Sequence, residues 1–338
     1  METRLARAED LKELKEVWKL CFGDEDSFID FYFENRDWQK ETAVLIQDGR
    51  AVSMLTMIPV DLIEKDCVKY RVSMLYAIAT HPEFRKRGYA DRLIEFSNEY
   101  LLSQQVFATL LVPAEEELFG FYRKLGYKNG FFIREAVLSR GEIENLAGKK
   151  PPAIEPAGAG RTAEPEPQPR QIRAAGLEPE LRAVRAAGPE RAVTVKPVDP
   201  AEYNRIRRKQ LKGRPWLDYR DEEISFEKQL ANMYGTDLYS VEIGGTEGCA
   251  YAERISEEEV VVKELLIPDQ CAAAALKQLS ELLPAEKYTV RTPPDTGEAL
   301  GGSVRPFGML RFNREGGKSV SAASHPVDTD SYLGIAFD

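Results

Sequence analysis

Hydrophobic and polar positions follow two alternating periods along the first 140 or so residues. DLKELKEVWKLCF places Leu11, Leu14, Val17, Trp18 and Cys21 on one helical face, with Asp10 in the position of an N-cap. A short strand, RLARA, precedes it, and SFIDFYFEN predicts a second helix. ETAVLIQ and AVSMLTMIPV read as strands flanking Asp48-Gly49, a pair suited to the positive φ of a tight hairpin. A long strand, YRVSMLYAIAT, then leads to the helix YADRLIEFSNEYLL, the apolar strand VFATLLV, the helix EEELFGFYRKL and the strand FFIREAVL.

After a break the order starts again. VTVKPV is followed by helical AEYNRIRRKQL and EISFEKQLANMY, by strands LYSVEI and GCAYAERI around Gly244-Gly245, and by VVVKELLI and the helix CAAAALKQLSELL. The break, Gly148 to Ala192, holds eight of the twenty prolines and no aromatic residue. Such a segment buries too little apolar surface to offset its ordering entropy, so it reads as a disordered Pro/Ala-rich linker, with LEPELRAVRAA as a transient helix. At 338 residues the chain exceeds a single core. The expected organisation is a domain over 1–147, a linker over 148–192, a second domain over 193–315 and a tail over 316–338, in the α/β class with mixed sheets.

Composition narrows the function. Hydrophobic residues make up 43% and charged residues 30%, as in a globular chain with a polar surface. A net charge of -10 argues against a nucleic-acid-binding protein, which needs concentrated Lys and Arg, and permits attraction of cationic amines. Cys21, Cys67, Cys249 and Cys271 are scattered without metal-ligand spacing, so no metal is expected. The charged N-terminus has no signal-like apolar run, and nothing approaches the roughly 18 apolar residues of a membrane span. The expectation is a cytoplasmic protein with no membrane partner and an unknown oligomeric state.

The candidate chemistry starts at Arg85-Lys86-Arg87-Gly88-Tyr89-Ala90, between the long strand and its following helix. A helix N-terminus carries unpaired N–H groups and a dipole that favours an anion by about 0.3–2 kcal/mol. Gly88 lets the backbone come close and the basic side chains add charge-assisted contacts, so a pyrophosphate would fit. His81, before Pro82, suits turn geometry better than acid–base work.

Arg85, Gly88 and Ala90 fall on the R/Q-x-x-G-x-G/A signature, and the chain resembles the GCN5-related N-acetyltransferases (GNAT). MLYAIATHPEF is similar to that family's central strand and turn, and LFGFYRKLGYK to its second signature. The resemblance implies a mixed sheet whose fourth and fifth strands splay to admit acetyl-CoA. The backbone of Ile78, Ala79 and Thr80 would then pair with the pantetheine arm, and Arg85, Lys86, Arg87, Gly88, Tyr89, Ala90 and Asp91 would surround the pyrophosphate. Ala79 or Thr80 would offer the N–H that polarises the thioester carbonyl, and Tyr122, in the family's tyrosine position, would protonate the departing thiolate. Tyr122 also suits packing with Phe119 and Phe121. No general base is singled out; Asp24, Glu25, Asp26 and Asp30 lie near the first two helices.

The second half repeats the layout without the chemistry. Its strand-to-helix turn reads Pro268, Asp269, Gln270, with no glycine signature and no basic residues. The expectation is tandem GNAT-like domains, the first competent and the second degenerate, similar to the enhanced-intracellular-survival branch of the superfamily without its sterol-carrier-like domain. That branch uses a C-terminal carboxylate near the acceptor, which makes Asp338 a candidate base if SYLGIAFD returns to the first domain. The leading expectation is an acetyl-CoA-dependent N-acetyltransferase acting on a small-molecule or peptide amine; the alternative is a noncatalytic acyl-CoA sensor.

Overall fold

The computed structural model describes residues 1–148, 192–313 and 331–336. The expected transient helix therefore lies outside the described residues, as do the expected linker apart from Gly148 and Ala192 and most of the expected tail. The first half runs β1 (Glu2–Leu5), α1 (Leu11–Phe22), α2 (Asp26–Asn35), α3 (Trp38–Glu41), β2 (Thr42–Gln47), β3 (Arg50–Ile63), β4 (Lys69–Thr80), α4 (Tyr89–Ser103), β5 (Ala108–Leu111), α5 (Glu116–Lys124), β6 (Lys128–Ser139) and α6 (Arg140–Gly148). The second runs β7 (Val193–Pro197), α7 (Pro200–Gln210), β8 (Trp216–Asp218), α8 (Asp221–Met233), β9 (Leu238–Ile243), β10 (Thr246–Arg254), β11 (Glu259–Leu266), α9 (Asp269–Leu282), β12 (Lys287–Thr292) and β13 (Ser303–Phe312).

The periodic segments form the elements they predict, and Asp48 and Gly49 take φ of 51° and 82° between β2 and β3. Asp10 departs from expectation. It stands in the N-cap position of α1 without a side-chain cap. Its carboxylate instead accepts from the Arg4 guanidinium at 2.6 and 2.9 Å and from the Arg7 N–H at 2.7 Å, because a buried charge is better matched by a bidentate cation than by a helix end.

The strands form one mixed sheet in the order β1-β2-β3-β4-β5-β13-β6-β12-β11-β10-β9-β7, with β8 paired to β3. The join interleaves the halves: β13 lies between β5 and β6, while β6 lies between β13 and β12. β13 carries Pro306, which donates no backbone hydrogen bond. The register with β6 shifts between Pro306 and Gly308, beyond the last β5 partner at Met309, and the Phe132 N–H donates instead to the Ser331 carbonyl at 3.0 Å. Gly302 enters β13 at φ 74°, where a Cβ would stand 2.1 Å from the Glu135 carbonyl oxygen.

One face of this sheet carries a single core. Side chains of α1, α2, α7 and α8 pack together there with strand residues from both halves, including Met54, Met74, Phe131, Tyr251 and Phe307. The other face holds separate clusters, one under α4 and α5 and one under α6 and α9. Residues 331–336 thread the shared face: Tyr332, Leu333 and Ile335 are fully buried, and Tyr332 bridges to Trp216. The segment rests on a fully buried ion pair, in which Arg207 Nε donates to both Glu264 oxygens at 2.9 and 3.1 Å and Arg207 Nη2 to the Leu333 carbonyl at 3.3 Å. The expected docking of the apolar terminus is present, through an isolated bridge and not a regular strand.

Shared strands and a shared core make the described residues one cooperative unit. Urea unfolding followed by circular dichroism should show a single transition. Gly302→Ala should lower stability by roughly 3 kcal/mol, whereas Gly120→Ala, in α5 with open space at its Cβ, should raise it by up to about 1 kcal/mol.

Candidate functional site

β4 pairs with β5 over three positions, Val72–Ala108, Ser73–Thr109 and Met74–Leu110. Beyond Met74 it turns away. The cause is a bulge: Met54 faces Ala79 and Thr56 faces Tyr76, so β4 carries an extra residue there, with Ala77 at φ 49°. A bulge bends its strand and re-aims the backbone, and holding an L-residue in this region costs about 1–3 kcal/mol. β5, meanwhile, is held by β13 at Met309–Phe312. The stretch Leu75–Thr80 is thus left without a partner strand on that side among the described residues.

The end of β4 is pinned. Ser53 Oγ donates to the Ala79 carbonyl at 2.7 Å and lies 2.9 Å from the Thr80 hydroxyl; Cys21 Sγ and Arg85 Nε donate to the Thr80 carbonyl at 3.3 and 3.1 Å. His81 serves the turn, its Nδ1 accepting from the Glu83 N–H at 3.3 Å. Lys86 and Gly88 then take φ of 62° and 73°, and Gly88 becomes the N-cap of α4. The first bond into the helix runs from the Arg92 N–H to the Gly88 carbonyl at 3.1 Å, so the N–H groups of Tyr89, Ala90 and Asp91 precede the first helical carbonyl partner. A Cβ on Gly88 would meet nothing within 4 Å; glycine is required for the left-handed backbone, and the space above is open. Arg85, Lys86 and Arg87 are exposed around it, with Arg87 over the Phe84 ring at 5.1 Å.

A cavity of about 650 Å³ opens where β4 and β5 part. Ile78, Tyr122, Trp18, Phe22, Asp24 and Phe28 line it from the first half. The second half supplies the opposite wall through Phe226, Glu227 and Tyr234 of α8 and its boundary, Lys263 of β11, Arg291 of β12, and Arg305 and Phe307 of β13. Ala336, from the docked terminal segment, borders it too.

Tyr122 is 7% exposed, its ring edge-on to Phe121 and Tyr127. It therefore packs among aromatics and borders the cavity at once. Burial, reinforced by Tyr127, pushes its phenol well above the ordinary tyrosine value, so it stays protonated. Behind the lining residues Arg291 and Arg305, Glu135 joins three strands: it accepts from Arg305 Nε and Nη2 at 3.0 and 2.7 Å and from Arg291 Nε at 3.1 Å, and both guanidinium groups lie over Phe307. Lys263 pairs with Glu253 at 2.6 Å, and Glu227 accepts from the Tyr251 hydroxyl at 2.9 Å.

Tyr122 and Ile78 thus share one cavity, while Ala79 and Thr80 lead from it to the loop of Arg85 to Asp91. Asp338 lies outside the described residues. Of the four acidic candidates near α1 and α2, Asp24 lines the cavity, accepting from Trp18 Nε1 at 2.7 Å. Asp26 and Asp30 pair at the surface with Lys19 and Lys15, and Glu25 is exposed. Among the described residues no three His, Cys, Asp or Glu side chains group as metal ligands would.

The corresponding junction of the second half is closed. Asp269, at the start of α9, accepts from the Gly297 N–H at 2.5 Å, and the loop carrying Gly297 buries Leu300 against α9. A carboxylate and a loop stand where a phosphate would need donors. The second-half wall residues had no local signal: Arg291, Arg305 and Phe307 reach the cavity only through the interleaving of β12 and β13 with β6.

Residues 2–130 match the model of a protein family described as an acetyltransferase (GNAT) domain. The fold is similar to that of a GCN5-related N-acetyltransferase from Anabaena variabilis, with a TM-score of 0.63 and 14% identity over 93% of this chain and 73% of that one. Eis1 from Mycobacterium abscessus gives 0.59 and 12% over 92% and 74%. A tandem GNAT protein from the clavulanic acid biosynthesis pathway gives 0.51 and 10% over 93% and 99%. At such identities the likeness is one of fold. No curated protein matches the chain.

The Glu135 junction sets a pH dependence. Burial raises its carboxyl, but the hydrogen bonds and charges of Arg305 and Arg291 outweigh this and leave it below the ordinary carboxylate range. Its stabilisation is present above the unfolded value, near pH 4.5, and is lost as pH falls through the folded one. Thermal melts should show wild type more stable than Glu135→Gln at pH 6 to 7, with the gap narrowing below about pH 4.5.

Proposed function

We propose that the chain, whose residues 2–130 match the model of a GNAT acetyltransferase domain, transfers an acetyl group from acetyl-CoA to an amine held in the cavity between its halves. The observation that carries this is the partnerless stretch Leu75–Thr80 running into the Gly88 loop, with Tyr122 facing the same opening. The pyrophosphate would rest on the N–H groups of Gly88 to Asp91, with Arg85, Lys86 and Arg87 beside it. The pantetheine arm would pair with Ile78, Ala79 and Thr80 as an added strand.

The neutral amine attacks the thioester carbon and forms the C–N bond. Charge builds on the carbonyl oxygen, where a backbone N–H of Ala79 or Thr80 offsets it. Collapse breaks the C–S bond, nitrogen loses its proton to a base, and coenzyme A departs as a thiolate that takes its proton from solvent on release. Tyr122 donates to that sulfur. Because burial holds its phenol far above a thiol's value of about 8.5, Tyr122 stabilises the thiolate chiefly as a hydrogen-bond donor and is not left ionised. Asp338 is carried forward as a candidate base, since Ala336, two positions before it, borders the cavity. The second half, closed at its own junction, acts as the acceptor wall.

Acceptor-dependent thiol release, measured across an amine panel, tests the reaction; coenzyme A binding with no release from any amine would favour a sensor. Tyr122→Phe should lower kcat by about 100-fold while leaving the acetyl-CoA Kd within about threefold. Gly88→Val, which forces a β-branched residue to positive φ, should weaken acetyl-CoA binding by at least about tenfold in calorimetry.

A further inference from the structure

We infer that the acceptor is a small monoamine on an apolar, ring-sized body, which docks as the ammonium at Asp24 and gives up a proton to the base before its neutral nitrogen attacks, with its body held by the aromatic walls of the two halves. This rests on the acetyltransferase reading of the same cavity and specifies what enters it.

Asp24 follows α1 and lines the cavity. Its carboxylate accepts from the Trp18 indole N–H at 2.7 Å, a neutral donor, and it makes no ion pair among the described residues. The neighbouring acids differ: Glu253 has Lys263 at 2.6 Å, and Glu135 is shared by two arginines. The indole bond fixes the carboxylate without neutralising it, so its charge is offered to a ligand. Around it stand Trp18, Phe22 and Phe28 from one half and Phe226 and Tyr234 from the other. Aromatic faces attract a cation and give flat apolar area to the group behind it. Tyr234 lines the same cavity, and burial, then the charge of Asp24, raise its phenol above the ordinary value.

The remaining charges select against other amines. The other charges are already matched, Lys263 with Glu253, Arg291 and Arg305 with Glu135, and Glu227 accepts from the Tyr251 hydroxyl, so a second ammonium would be desolvated with less compensation than the first, which disfavours polycations. An α-amino acid would carry its own carboxylate toward Asp24, and the arginines that might receive it already hold Glu135. A monoamine with an aromatic or comparably sized body meets neither penalty.

The test uses the full chain and two readouts. With acetyl-CoA present, kcat/KM by thiol release is compared for 2-phenylethylamine, spermidine and phenylalanine. With coenzyme A bound, calorimetry measures phenethyltrimethylammonium, a cation that cannot be acetylated. The expected result is a preference for 2-phenylethylamine of at least about tenfold, and a KM raised about tenfold by Asp24→Asn with partial recovery in Asp24→Glu. Asp24→Asn should also weaken the quaternary probe about tenfold while leaving the acetyl-CoA Kd within about twofold. Preference for spermidine or phenylalanine would overturn the inference, as would an Asp24→Asn variant with unchanged KM and unchanged probe binding. Probe binding that depends on Asp24 without thiol release from any amine would support this subsite and remove the transferase reading. Thiol release indifferent to Asp24 would do the reverse.

Discussion

The interleaving of β13 between β5 and β6 is the constraint on which the rest depends. β5 is four residues long, and β4 accompanies it for three of them; without β13 on its other edge it would have no further partner. Pairing with β13 holds β5 in place while the bulge at Ala77 carries β4 away, and the opening between them follows. The same strand brings Arg305 and Phe307 to the cavity, so one pairing sets both the gap between β4 and β5 and part of the cavity wall.

The two halves repeat a device and use it differently. β11 carries a bulge of its own, where Tyr251 faces Glu264 and Ala252 faces Val262, leaving Lys263 as the extra residue. In β4 the bulge leaves backbone facing an open gap. In β11 it turns a nearly buried lysine toward the cavity, paired with Glu253, while Asp269 and the loop of Gly297 close the junction behind. The first junction is left open and the second is closed. The buried Arg207–Glu264 pair then guides the terminal segment along the shared core to the cavity edge at Ala336.

Local features were legible and tertiary ones were not. The helices and strands around the Gly88 loop follow from apolar period and turn chemistry, and the loop itself is readable because its glycine and basic residues are contiguous in the chain. β13 escaped because Pro306 and Gly308 argue against a strand, and their tolerance depends on a bulge beyond the end of β5 that no local pattern announces. The short α3 and β8 carry too few residues to show a period, and α6 directly continues β6 without a break. Asp24 was one acid among four until α8 arrived opposite it, and Asp10 looked like a cap because its partner Arg4 is fixed by strand pairing.

Amide hydrogen exchange, with and without coenzyme A, reads the central claim at the backbone where it is made. Ligand-dependent protection is expected over Leu75–Thr80 and Gly88–Asp91, with none at the start of α9 near Asp269. Absence of protection at both first-half stretches, or protection centred on Asp269 instead, would contradict it.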